Sequence, residues 1–337
     1  MYEYQLVYQL KEPMSFSDSH VFGIELKANS MDSVLTLSPR RIHFAITRKH
    51  KVTLPEHAYN RDRIRILGST LLLLSATSSL APSLENEFQI ITQDDQSISC
   101  PLPEICSSWP SSYAEDLFSI ESIPDYFQRS SKGRAIRSSI SYLIESRHSR
   151  SQAGRRRLLW TAFNALYSHV SQKKRECEKL NDIASLMLKS PDSFERSLTC
   201  LQLGLSNNCL NDLPWRSITD KLKMSKPESR GSYIESMDQI IAQAYASHLS
   251  NRGKTREIKD LLLSLLGDLD ARNNPKALAF LITKYMYSIR NESFHGETPF
   301  PVYPQSERKA HDVWIEDLLE ATILDLIEII EKPANPI

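Results

Sequence analysis

Apolar and polar positions alternate through much of the first hundred residues. Tyr2, Tyr4, Leu6, Tyr8 and Leu10 are separated by Glu3, Gln5 and Gln9, the two-residue period of a strand with one face buried. Ile42, Phe44 and Ile46 repeat the pattern, as do Ile64 with Ile66 and Phe88 with Ile90, so each is expected to be a strand. Asn29-Ser-Met-Asp-Ser and Gln93-Asp-Asp-Gln-Ser, lying between them, have the composition of turns. From Leu67 to Ser79 periodicity does not choose between a buried strand and a short helix.

Cys100-Pro-Leu-Pro and Ser107-Ser-Trp-Pro-Ser-Ser interrupt this pattern, and beyond them the period becomes helical. Leu158, Leu159, Ala162, Phe163, Leu166, Tyr167 and Val170 form one apolar face, and Ile183, Leu186 and Met187 resume it in the next stretch. Further helices are expected over Tyr233–Leu249, after Pro227 and Gly231, and over Ile258–Leu269, before Asn273-Asn-Pro275. Another runs from Ala277 to about Phe294 and breaks at Gly296 and Pro299. Val313, Leu318, Ala321, Ile327 and Ile330 mark the last, which stops before Pro333. The expected fold class is α+β and multidomain. A β-rich or α+β domain occupies residues 1–105, a linker and lead-in helix 106–134, and an all-α bundle 135–332. The bundle has about five or six helices with loops short enough for antiparallel packing.

With 337 residues, 41% hydrophobic and 24% charged, the chain has room for two packed cores. Its formal net charge is zero, so any hold on a polyanion must come from a local patch. Five cysteines, odd in number and without a CxxC pair, suit reduced thiols in the cytoplasm better than a disulfide frame or a zinc site. The N-terminus lacks a signal-peptide pattern, and the longest apolar run, Leu71 to Leu74, is too short for a bilayer. A cytoplasmic protein without membrane contact is expected.

One stretch suggests a chemistry directly: Tyr287-Ser-Ile-Arg-Asn-Glu-Ser-Phe-His-Gly296. On a helix Asn291 and His295, four apart, share a face, whereas Arg290 and His295 lie about 140° apart. Leu278, Ile282, Tyr285 and Ile289 would seat the helix in a core, with the polar groups at its tip. Attack of a ribose 2′-OH on the adjacent phosphate needs a base titrating near neutrality, which histidine supplies. The phosphorane gains negative charge that an arginine fork stabilises, and Asn291 can orient the imidazole or hold a phosphate oxygen. No carboxylate cluster or His/Cys spacing suggests a metal, and no cofactor is expected.

Arg290-Asn291-(Glu-Ser-Phe)-His295 resembles the Arg-polar-X3–5-His signature of HEPN domains (higher eukaryote and prokaryote nucleotide-binding). Trp160-Thr-Ala-Phe-Asn-Ala-Leu-Tyr167 is similar to the aromatic, alanine-rich early helix of many such domains. The resemblance covers roughly residues 135–332. It implies a helical bundle that pairs as a homodimer, each protomer adding Arg290, Asn291 and His295 to one shared cleft. Active members of the family are metal-independent endoribonucleases leaving 2′,3′-cyclic phosphate ends, often toxins or antiviral effectors. Others are inactive binding or dimerisation modules.

Between Arg129 and Arg157 lie nine basic residues against one acid, Glu145. Arg147, Arg150, Arg155, Arg156 and Arg157 are the candidates for contact with RNA. Against that stands a solvated helix face matched by the acids of the last helix, Glu316, Asp317, Glu320, Asp325 and Glu328. Asn164 fits a core amide better than a cleft residue, and Trp160 and Trp314 fit core or dimer anchors. The expected function is a dimeric endoribonuclease of defence or toxin type, acting on RNA and restrained by an antitoxin or regulatory protein. The alternative is a non-catalytic interaction module with a partner-recognising N-terminal domain.

Overall fold

The computed structural model describes residues 2–14, 16, 18–24, 33–48, 61–77, 82–94, 96–102, 117–207, 209, 275–287, 289–290 and 310–332. They divide into two compact units, Met1–Ile144 with Glu331–Ile337, and Glu145–Ile330. The chain is mixed α+β, with an antiparallel sheet in its N-terminal part and helices in its C-terminal part.

In the first unit the strands are β1 (Tyr2–Leu10), β2 (His20–Ile24), β3 (Ser33–Ser38), β4 (Arg41–Arg48), β5 (Leu84–Thr92) and β6 (Ser97–Pro101). They form a six-stranded sheet in the order β2-β3-β4-β1-β5-β6. Alternation in β1 does what its period requires: Tyr4, Leu6, Tyr8 and Leu10 are buried, while Glu3 and Gln5 are exposed. Register carries this face across the sheet. Leu6 sits opposite Phe44 on one side and Ile90 on the other, and Tyr8 opposite Ile42 and Phe88. Leu35 continues it opposite Phe44, and Phe22 opposite Leu35. Tyr8 stacks on Phe88 with ring centroids 5.1 Å apart and meets the edge of Phe44 at 5.9 Å.

Helix α1 (Arg61–Thr77) resolves the ambiguous Leu67 stretch as helical and corrects the strand expected at Ile64 and Ile66. Two apolar residues at spacing two also fit a helix, and the run through Leu74 supplies helix formers long enough to decide. Ile66, Leu67, Leu71, Leu73 and Leu74 are buried, and Thr70 and Ser75 return their hydroxyls to carbonyls one turn back. The 3-10 turn Pro124–Phe127 ties this helix to the sheet. Tyr126 donates to the Ser69 carbonyl at 2.9 Å, and the Phe127 ring meets Phe22 at 5.2 Å.

Helix α2 (Ser131–His148) runs through the division between the units. The second unit holds α3 (Gln152–Val170), α4 (Glu176–Lys189), α5 (Glu195–Ser206), α6 (Pro275–Phe280) and all but the last residue of α7 (Ala310–Glu331). Leu159, Ala162, Phe163, Leu166 and Tyr167 of α3 are buried, as are Ile183 and Met187 of α4, so the expected apolar faces point inward. The helices expected over Tyr233–Leu249 and Ile258–Leu269 lie outside the described residues.

Gly204 on α5 marks a close approach. A methyl group there would overlap the indole of Trp314, whose Nε1 donates to the Cys200 carbonyl at 2.9 Å. Gly204→Ala is expected to cost about 1–3 kcal/mol by overpacking, read as a lower urea midpoint with an unchanged slope.

Asp325 of α7 is buried and accepts the Ser197 amide at 2.9 Å and its hydroxyl at 2.5 Å. Burial pushes its carboxyl above the usual range, partly offset by Ser197 and Arg196; burial raises Asp317 likewise, with Arg155 opposing. Such a group binds more protons folded than unfolded. Its contribution is fully present below about pH 4 and is lost as pH rises through the raised value. Urea midpoints measured from pH 4 upward are expected to fall across that window, and Asp325→Asn to flatten the fall by at most about 1.4 kcal/mol per pH unit.

Candidate active site

Arg290 is the last described residue of a helical run buried for most of its described length. Ala277 to Thr283, Tyr285 and Met286 are all buried. Such all-round burial needs a helix that is apolar on nearly every face. After α6 the backbone widens into a π-helical stretch, Leu281–Tyr285, in which the Met286 amide reaches back five residues to the Leu281 carbonyl. One wide turn rotates everything beyond it by about 100° relative to a continuous α-helix. Lys284 leaves the apolar surround to donate to Asn181 Oδ1 of α4 at 3.2 Å. Met286, Tyr287, Ile289 and Arg290 are helical again. Asn291 and His295 lie outside the described residues.

The end of α3 and the start of α4 come to Arg290. Helix α3 starts from Ser151, whose hydroxyl caps the Gly154 amide at 3.0 Å, and stops at Ser171, whose amide closes on the Tyr167 carbonyl. The Ser171 hydroxyl then bonds Asp182 Oδ2 of α4 at 2.5 Å, pinning the short link between the two helices. That link places Tyr167, in the last turn of α3, beside Glu176, the first residue of α4. A carboxylate there is also favoured by the positive end of the helix dipole. The Tyr167 hydroxyl donates to Glu176 Oε1 at 2.6 Å, and Arg290 Nη1 faces Glu176 Oε2 at 3.5 Å. Burial, then the hydrogen bond and charge of Glu176, push the Tyr167 phenol far up, with Arg290 pulling the other way. Tyr167 is therefore a fixed donor at any physiological pH.

Aromatic rings fix this arrangement from behind. Trp160 packs against Phe163, Tyr167 and Tyr287 with centroids 5.4, 6.2 and 6.0 Å apart, and Phe163 meets Tyr167 at 5.1 Å. Trp160 and Trp314 are both buried, as expected of anchors. Tyr287 packs on Trp160, and Asn164, expected as a core amide, is instead only half-buried, its Oδ1 accepting from the Ser168 hydroxyl at 3.0 Å.

The basic run is brought to a different place. Arg147 Nε reaches Glu320 Oε1 at 2.7 Å. Arg155 meets Asp317 at 2.8 Å, Glu320 at 3.2 Å and Glu316 at 3.4 Å, and Arg156 meets Glu316 at 2.8 Å. Cations near the start of α3 oppose its dipole, and the acids of α7 offset this. The charges of Arg147, Arg155 and Arg156 are thus matched inside the unit, whereas Arg150 and Arg157 are exposed.

Sequence reasoning singled out Arg290 but not Glu176, and read Tyr167 as part of an apolar face and of the aromatic early helix, not as a site residue. An acid directly after Lys173-Lys174-Arg175 at a helix start was the available signal. Among the described residues no group of three or more His, Cys, Asp or Glu side chains is placed to hold a metal ion. No described helix is long and apolar enough to cross a membrane. Comparison with protein-family models, with curated proteins and with solved structures finds no match.

Proposed function

We propose that the C-terminal helical unit is a metal-independent endoribonuclease of HEPN type, working as a homodimer whose two copies of Arg290, Asn291 and His295 share one cleft. The observation that carries this is the setting of Arg290. It is the last described residue of a largely buried helical run, immediately before Asn291 in sequence, with its side chain still 24% exposed. An arginine so placed can present its fork to a phosphate, and the signature places an imidazole five residues on. Arg290 stabilises the phosphorane, His295 moves the proton of the 2′-OH or of the leaving oxygen, and Asn291 orients one of them. Two protomers resolve the angular separation of Arg290 and His295 along one helix. Of the five candidate RNA-binding arginines, Arg150 and Arg157 are the exposed ones and offer contact to an RNA backbone. A defence or toxin role, restrained by an antitoxin or by the N-terminal unit, goes with this reading.

Two observations favour a second reading, a non-catalytic interaction module. Arg290 has an acidic partner within its own unit, and most of the candidate RNA-binding arginines are engaged by α7. Incubation of the purified protein with total cellular RNA in excess EDTA separates the two. Cutting that survives chelation and disappears in His295→Ala supports the ribonuclease; intact RNA with both proteins favours the module.

A further inference from the structure

The contact that weighs toward a structural Arg290 has a geometry that suits a working one. Glu176 divides its two oxygens: Oε1 takes the Tyr167 hydroxyl at 2.6 Å, and Oε2 faces Arg290 at 3.5 Å. The first is a short hydrogen bond to a phenol buried among Trp160 and Phe163, so the carboxylate takes its orientation from the core. The second is at the outer limit of a hydrogen bond and is made through one Nη, an ion pair that restrains the guanidinium. Both charged side chains keep surface, 28% for Glu176 and 24% for Arg290. A purely structural pair gains most from close bidentate contact. Here the close contact is Tyr167–Glu176, and the looser one is to Arg290.

Resting on the ribonuclease reading, we infer that Glu176, fixed by Tyr167, is the positioning residue that sets the Arg290 guanidinium for the phosphate in flight. Glu176 touches no reacting atom; it narrows the orientations of a long side chain before RNA arrives. Its negative charge slightly opposes RNA binding while it favours the transition-state geometry. Removing that charge should therefore slow turnover without weakening the substrate complex.

The test combines cleavage kinetics in EDTA with the NMR signal of the Arg290 Nε–Hε group, assigned by its loss in Arg290→Lys. Glu176→Gln is expected to lower kcat about tenfold to a hundredfold with KM unchanged or lower, and to broaden the Arg290 signal. Tyr167→Phe, which keeps the ring packing, should give the same pattern in weaker form. Unchanged kcat in Glu176→Gln, or an Arg290 signal that does not respond, overturns the positioning role and leaves the ribonuclease reading standing. Faster cutting also overturns it, by making Glu176 a brake on Arg290. A parent protein that leaves RNA intact defeats the ribonuclease reading and this role with it, even if the Arg290 signal still follows Glu176.

Discussion

On the proposed ribonuclease reading, RNA cleavage in EDTA is expected to fall at least about a thousandfold in Arg290→Ala and in His295→Ala, with the fold retained in both. For His295 the loss would be that of the proposed proton-transfer group, without which the 2′-OH meets no base stronger than water. For Arg290 the loss is electrostatic, because the charge gained by the phosphorane then meets no guanidinium. Arg290→Ala also deletes the partner of Glu176, but this pair is loose and partly solvated. Its removal should cost no more than about 1 kcal/mol, too little to explain a thousandfold loss by unfolding. Rates should be compared at matched folded fraction, by circular dichroism and urea midpoint, and the product ends assayed for 2′,3′-cyclic phosphate. Parent-like cutting by either variant would remove that residue from the mechanism.

The second large effect concerns stability. Arg155→Met is expected to cost about 3 kcal/mol, the lower end of the range for breaking a buried pair. The side chain is 13% exposed and serves Glu316, Asp317 and Glu320 at once, of which Glu316 is fully buried. Without it, Glu316 retains Arg156 and Glu320 retains Arg147, which holds the cost near the lower end. The loss should be insensitive to added salt, since buried charges are poorly screened. Urea unfolding decides the matter. An unmoved midpoint together with weaker RNA binding would make Arg155 a surface contact for the backbone, and the acids of α7 incidental to it.

Which features were legible in the sequence follows from the range over which each is encoded. β1, β4 and β5 announce themselves because a strand with one wet face writes its burial into every second residue, as Tyr4, Leu6 and Tyr8 do. β2 carries the same signal at Phe22 and Ile24, but Val21 at 67% exposed places an apolar residue on the solvent face and blurs it. The helices α3, α4 and α7 were legible from faces long enough to show a 3.6-residue period. The π-helical stretch after α6 was not, because a run in which nearly every residue is apolar has no phase to break. At the site, Arg290 was found from its neighbours in the chain. Its link to Glu176 spans 114 residues and depends on where two helix ends stop, which no local pattern records. The acids of α7 stood in the sequence as a possible match for the basic run, but only packing shows that Arg147, Arg155 and Arg156 are the ones engaged.

Strand order in the first unit bears on how the protein is made. β1 lies between β4 and β5, so the first of these six strands to leave the ribosome is one that needs partners on both sides. Its first neighbour is complete only when Arg48 has emerged and its second only at Thr92, with α1 synthesised in between. Until then Leu6 and Tyr8 have no finished sheet to enter, for an interval of several seconds at ordinary translation speed. Nascent chains stalled between α1 and β5 should therefore bind chaperones and resist folding, and those stalled well past β6 should not.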